Sequence, residues 1–173
     1  ALAISQQLEL PDALGRILAA RGVDVSEAEA FLDPKLRDLL PDPSHLLDMD
    51  RAVERIVAAI NAGEKIGVFA DYDVDGACSG ALLAKFFGAI GRDVTVYVPD
   101  RIAEGYGPNT PALMKLKDAG VSLVITVDCG TTAFAPLAAA AEAGLDVVVV
   151  DHHVAEPELP QAVAVVNPNR LDE

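Results

Sequence analysis

From Lys65 onward one pattern recurs: a short apolar run, a turn, a helical stretch closed near a glycine, then another apolar run. The runs are IGVFA (66–70), VTVYV (94–98), LVITV (123–127), DVVVV (146–150) and AVAVV (162–166), and the stretches between the first four end at or near Gly91, Gly120 and Gly144. Strands that are apolar on both faces lie buried between two layers, and helical crossovers make such strands parallel. The expected fold is therefore α/β, a doubly wound and mostly parallel sheet. A composition that is 51% hydrophobic, with 5% aromatic residues and no Trp, suits a core of Ala, Val and Leu.

Upstream, residues 1–50 read as a helical N-terminal extension and connector, with the α/β domain expected over 51–173. Pro11 and Asp12 open the short pattern LGRILAARG, and Ser26 with Glu29 has the spacing of a capping box. DPKLRDLLPDPSHLLDMD is proline-rich and is expected to be an irregular connector. Asp50 is the expected cap of RAVERIVAAINAG, with Val53, Ile56, Val57 and Ile60 on its buried face and Gly63 at its end. No apolar run is long enough to span a bilayer and no signal peptide opens the chain, so the expectation is a soluble, cytoplasmic protein with no membrane partner. Cys78 and Cys129 lack metal-site spacing and are expected to be small buried thiols. The chain opens without Met and stops at NPNRLDE, as a piece of a longer protein would.

DYDVDG (71–76) packs three carboxylates into six positions with the D-x-D-x-D-G spacing of a calcium loop. Such a loop needs a bidentate Glu at its twelfth position, where this chain has Leu82, and a helix before it, where this chain has a strand pattern. The acids instead follow a strand, and the same holds for Asp128 after LVITV and for Asp151-His152-His153 after VVVV. Ligands of open parallel sheets bind outside the carboxyl ends of the strands, so these residues are expected to converge. Carboxylates gathered in this way repel unless protonated or neutralised by a cation. Asp and His donors without thiolate favour Mn²⁺, Mg²⁺, Fe²⁺ or Co²⁺ over structural zinc, and a shared carboxylate suits two ions roughly 3.5–4 Å apart acting on a phosphoester or phosphoanhydride. Simpler roles compete at single positions: Asp75 as a helix cap, Thr131 and Thr132 as caps of AFAPLAAAAEAG against a phosphate contact, Asn109 as a helix cap and Tyr106 as a packing residue against substrate contacts, a role also open to Arg101, and His45 as a surface residue. A net charge of −14 argues against broad duplex DNA binding by this stretch, though not against a nucleic-acid enzyme whose basic groove lies elsewhere.

DYDVDG, VDCGTTA and DHH, in this order at the strand ends of one α/β domain, resemble the first three motifs of the DHH phosphoesterase family. FLDPKLRDLLPDPSHLLDMDRAVERI, FADYDVDGACSGALL and RIAEGYGPN extend the resemblance, over nearly the whole chain, to its RecJ-like branch of single-stranded-DNA exonucleases. The resemblance implies a Mn²⁺- or Mg²⁺-dependent enzyme, with a two-metal site, that removes nucleotides from the 5′ end of single-stranded DNA in recombination and repair, alongside replication or repair proteins. It makes Asp73 and Asp75 metal ligands, with Asp71 supporting them or joining them, and Asp128 a bridging carboxylate. His152 becomes a ligand, His153 a contact to the phosphate or leaving group, and Asp151 the residue that orients an imidazole. It also implies a fourth motif and a second, substrate-gripping domain beyond Glu173, so that this chain is an incomplete catalytic unit. Two other readings stand behind it. Phosphodiesterases of short oligonucleotides or cyclic dinucleotides, and pyrophosphatases, carry a His in the first motif where this chain has only Asp; a non-catalytic scaffold would show decayed motifs, and these are intact.

Overall fold

The apolar runs form one sheet in the computed structural model, which describes all of residues 1–173. Its strands are β1 (Ile66–Ala70), β2 (Val94–Tyr97), β3 (Leu123–Val127), β4 (Asp146–Val150) and β5 (Ala164–Val166), in the order β2-β1-β3-β4-β5. Every pairing is parallel. β2 stops at Tyr97, just before Val98-Pro99, because proline lacks the amide that a ladder requires. β5 is shorter than the run AVAVV, starting at Ala164.

Side chains alternate across the sheet and fill two cores. On one face, Ile66, Val68, Leu123, Ile125 and Val148 pack with Ala52 and Ala59 of α5 (Met49–Ala62) and Phe87 of α6 (Val74–Ala89). On the other, Phe69, Val124, Val147 and Val149 pack with Leu113 and Leu116 of α7 (Thr110–Asp118) and Leu137 and Ala140 of α8 (Phe134–Glu142). Helices thus cover both faces, as the doubly wound reading requires. No helix is long and apolar enough to cross a membrane.

The chain divides into two compact units, Ala1–Asp42 and Pro43–Glu173. The first holds α1 (Leu2–Gln7), α2 (Asp12–Ala20), α3 (Ala28–Leu32) and the single turn α4 (Leu36–Leu39), around buried Ile4, Leu18 and Ala28. The expected Ser26–Glu29 capping box does not form. The amide of Glu27 donates to the Asp24 carbonyl at 3.1 Å, which places Ser26 inside a turn, and α3 starts at Ala28 with no side-chain cap. The connector also carries more order than expected, in α4 and in a 3-10 turn at Pro43–His45.

In the second unit, α5 is capped at Asp48, not Asp50, and its buried face differs from the one expected. Asp48 sits in the left-handed region with φ 61°, and its carboxylate accepts from the Val165 amide (3.0 Å) and Arg170 Nη1 (3.1 Å) instead of the helix. Val53 and Val57 are about half exposed, while Ala52 and Ala59 are buried and Ile56 and Ile60 pack beside them. Close approach of α5 to the sheet favours small side chains at the contact, which a search for bulky apolar residues passes over.

Two glycines of α6 separate close approach from simple helix propensity. A Cβ on Gly76 would fall 2.3 Å from the carbonyl oxygen of Asp71, whereas one on Gly88 would meet nothing within 4 Å. Gly76→Ala is expected to destabilise the chain by about 1–3 kcal/mol through overpacking. Gly88→Ala is expected to stabilise it by about 0.5–1 kcal/mol. Urea midpoints moving in opposite directions would bear this out, and a shared direction would contradict it.

Candidate metal centre

The strand register sets out the site. Ala70 pairs with Val127, Val127 with Val150, and Val150 with Val166, so the next residues, Asp71, Asp128, Asp151 and Asn167, form one row along the carboxyl edge. Backbone bonds extend the ladder through that row: the amide of Asp71 donates to Val127 O (3.2 Å), that of Asp128 to Val150 O (3.0 Å) and that of Asp151 to Val166 O (3.0 Å). All four residues are buried. The β1/β3 boundary is also where the strand order reverses, the place at which sheets of this order bind ligands.

Asp73 and Asp75 arrive from the turn after β1. Asp73 caps α6, accepting from the amides of Asp75 (2.9 Å) and Gly76 (3.1 Å), and these bonds, the Gly76 one foremost, hold its carboxyl below the usual aspartate range. Asp128 turns the chain at φ 61°, a left-handed conformation that Asp tolerates better than most residues. Asp71, Asp73 and Asp128 form one group of potential ligands and Asp128, His152 and His153 another, with ligand atoms within 4.8 Å of one another in each. Asp128 belongs to both. The Asp75 carboxylate lies outside both groups and lines a cleft of about 420 Å³, together with Cys78, Ser79, Asp128, Asp151 and His152.

Oδ1 of Asp71 and Oδ2 of Asp128 are buried without a hydrogen-bond partner. An unpaired buried carboxylate oxygen is costly, and two of them on residues of one ligand group fit a cation better than they fit a packed core. Burial pushes the Asp128 carboxyl up, the neighbouring Asp73 carboxylate pushes it further, and His152 partly offsets them. The donors are carboxylate and imidazole with no thiolate, which suits hard or borderline divalent ions.

The DHH segment is held by its own first residue. Burial alone would raise the Asp151 carboxyl, but the amide of Thr131 (3.0 Å to Oδ2), the His153 ring (Nδ1, 2.7 Å to Oδ1) and the amides of His152 and His153 hold it below the usual range. The same bond to Asp151 raises the pKa of His153. His152 turns the other way, its Nε2 lying 2.9 Å from Asp128 Oδ1. Tyr106 donates to the Asp128 carbonyl at 3.2 Å and lies 3.1 Å from His153 Nδ1, contacts that sequence reasoning missed because they join loops far apart in the chain.

Other expectations change or resolve here. Thr131 and Thr132 do not cap α8, whose N-cap is Ala133; Thr131 is instead tied to Asp151 and Asn167. Asn109 is the N-cap of α7, accepting from the Ala112 amide at 2.9 Å. Cys129 is a buried thiol, whereas Cys78 is exposed. α6 is apolar on nearly every side, so its sequence did not distinguish the face that carries Cys78 beside exposed Val74 and Leu82.

With its folded pKa raised, Asp128 in the ion-free chain loses stability as pH climbs from the ordinary aspartate range through that raised value. Asp128→Asn is therefore expected to melt about 2–4 °C above the unsubstituted chain at neutral pH in chelator, the shift that ~1 kcal/mol gives at this size. The gap should close in acid, where both side chains are neutral. A lower neutral-pH midpoint for the variant would contradict this electrostatic account.

The model of the DHH family, N-terminal domain, matches residues 65–173. The single-stranded-DNA-specific exonuclease RecJ of Bacillus subtilis is 40% identical over 168 residues, covering 96% of this chain and 21% of that protein. A crystal structure of exonuclease RecJ bound to manganese superposes with a TM-score of 0.65 at 34% identity, over 71% of this chain and 31% of the other. A second, RecJ in complex with Mn²⁺ from Thermus thermophilus, gives 0.64 at 31% identity, over 91% of this chain and 24% of the other. The chain thus spans less than a third of the length of these relatives. Its α/β architecture, its strand-end motifs and a family match over more than half of its residues lead to one conclusion: the chain belongs to the DHH family.

Proposed function

We propose that this chain is the metal-binding part of a RecJ-like exonuclease that hydrolyses single-stranded DNA from its 5′ end. The observation that carries the proposal is Asp128, a buried carboxylate with one unpaired oxygen that is common to both ligand groups. Asp71, Asp73 and Asp128 would hold one divalent ion, and Asp128 with His152 a second, with Asp75 on the cleft wall as a further candidate ligand. Manganese in the related structures favours Mn²⁺, and Mg²⁺ fits the same oxygen donors. Divalent ions bound here would neutralise phosphoryl oxygens and acidify an attacking water.

The protein's own groups supply the rest. Asp151 fixes Nδ1 of His153 and favours its protonated form, so Nε2 is available to donate to a phosphate oxygen or to the leaving oxygen. Tyr106 steadies that ring and the Asp128 backbone together. The Arg101 guanidinium lies 5.2 Å over the Tyr72 ring, which meets Tyr106 edge-on at 6.5 Å, a cation and aromatic surface suited to unpaired bases. A net charge of −14 leaves the remaining grip on the DNA backbone to other parts of the whole protein.

In the whole protein with Mn²⁺, a 5′-labelled single-stranded oligonucleotide should release its terminal nucleotide first, while a blunt duplex persists. Asp128→Ala should lower that rate at least ~100-fold while leaving the protein folded. Near-normal turnover by the variant would overturn the shared-ligand role, and release from the 3′ end would overturn the polarity.

A further inference from the structure

Asn167 is the fourth member of the strand-end row, and the chemistry above leaves it unassigned. Its side chain is fully buried, and its amide nitrogen is directed at two other loops. Nδ2 donates to Thr131 Oγ1 at 2.8 Å and to the His153 carbonyl at 2.9 Å, and Oδ1 accepts from the Asn169 amide at 2.8 Å. The side-chain amide of Asn169 donates to the His152 carbonyl. The backbone carbonyls of both histidines are thus held from the turn that follows β5.

A second connection runs through Thr131. Its hydroxyl accepts from Asn167, which leaves its own proton for the Asp151 carboxylate, and its amide donates to Asp151 Oδ2 at 3.0 Å. Asp151 in turn holds His153 Nδ1 at 2.7 Å. The turn itself is anchored independently: Arg170 Nη1 donates to the Val165 carbonyl (2.8 Å) and pairs with Asp48 (3.1 Å). Loss of the Asn167 amide would therefore leave the turn seated while freeing the His153 carbonyl and the Thr131 hydroxyl.

We propose that Asn167 is a positioning residue of the metal centre, which holds the His153 backbone directly and the His153 ring through Thr131 and Asp151. The proposal rests on reading the cluster as a metal centre. Partners that orient metal-binding imidazoles commonly govern affinity by 10–100-fold when removed.

The test compares Asn167→Ala, Thr131→Val and Thr131→Ser with the unsubstituted chain in two measurements. One is the position of the His153 ring-nitrogen signals in ¹H–¹⁵N correlation spectra of the ion-free chain at a single alkaline pH. The other is the Mn²⁺ dissociation constant from calorimetric titration. Asn167→Ala and Thr131→Val should move the His153 signals and weaken Mn²⁺ binding by about 10–100-fold, while Thr131→Ser, which keeps the hydroxyl, should match the unsubstituted chain in both. A folded Asn167→Ala with unshifted signals and affinity within about twofold would overturn the proposal, as would Thr131→Ser behaving like Thr131→Val. Should Asn167→Ala fail to fold, the Thr131 pair decides. If the unsubstituted chain takes up no Mn²⁺, the metal reading fails, and the ion-free spectra still decide whether Asn167 positions the ring.

Discussion

Parallel strands that end in register place whatever follows them in a row, and everything at this site depends on that alignment. β1, β3, β4 and β5 stop level with one another, so one backbone ladder carries Asp71, Asp128, Asp151 and Asn167 side by side. A shift of one residue in the pairing of any of these four strands would move Asp71, Asp128, Asp151 or Asn167 out of the row and invert the burial of that strand. The two apolar cores, by fixing which strand residues face α5 and α6 and which face α7 and α8, therefore also fix where the carboxylates stand.

Aligning so many carboxylates in a place with little water works against stability, and the surroundings show how the molecule handles it. Asp73 is stabilised by the first amides of α6 and Asp151 by Thr131 and the two histidines. Asp71 and Asp128 each keep one oxygen with no protein partner. Hydrogen bonds thus satisfy Asp151, which orients His153, and one oxygen of Asp73, while the buried oxygens left unpaired belong to Asp71 and Asp128 at the β1/β3 boundary, where a cation would do most. The histidines divide in the same way, His152 turned to Asp128 and His153 held by Asp151.

Much of this was legible in the sequence because it depends on local pattern. Strand runs, closing glycines and acids directly after strands pointed to the sheet, the crossover helices and the residues of the row up to Asp151. The same rule applied to β5 points to Asn167, the first residue after AVAVV, although an uncharged amide does not by itself signal a metal site. What stayed hidden depends on tertiary contact: the Tyr106 bridge to Asp128, the use of Thr131 to hold Asp151 rather than α8, and the small-residue face of α5. The exposure of Cys78 is hidden for a related reason, since a helix apolar on nearly every side does not reveal which side is covered.

The most direct measurement of the central claim is an anomalous-scattering map from crystals of this chain soaked in Mn²⁺. A peak is expected within about 2.0–2.3 Å of carboxylate oxygens from Asp73 and Asp128, with any second peak also touching Asp128 and His152. An ordered, open site without a peak, or peaks that avoid Asp128, would contradict that claim.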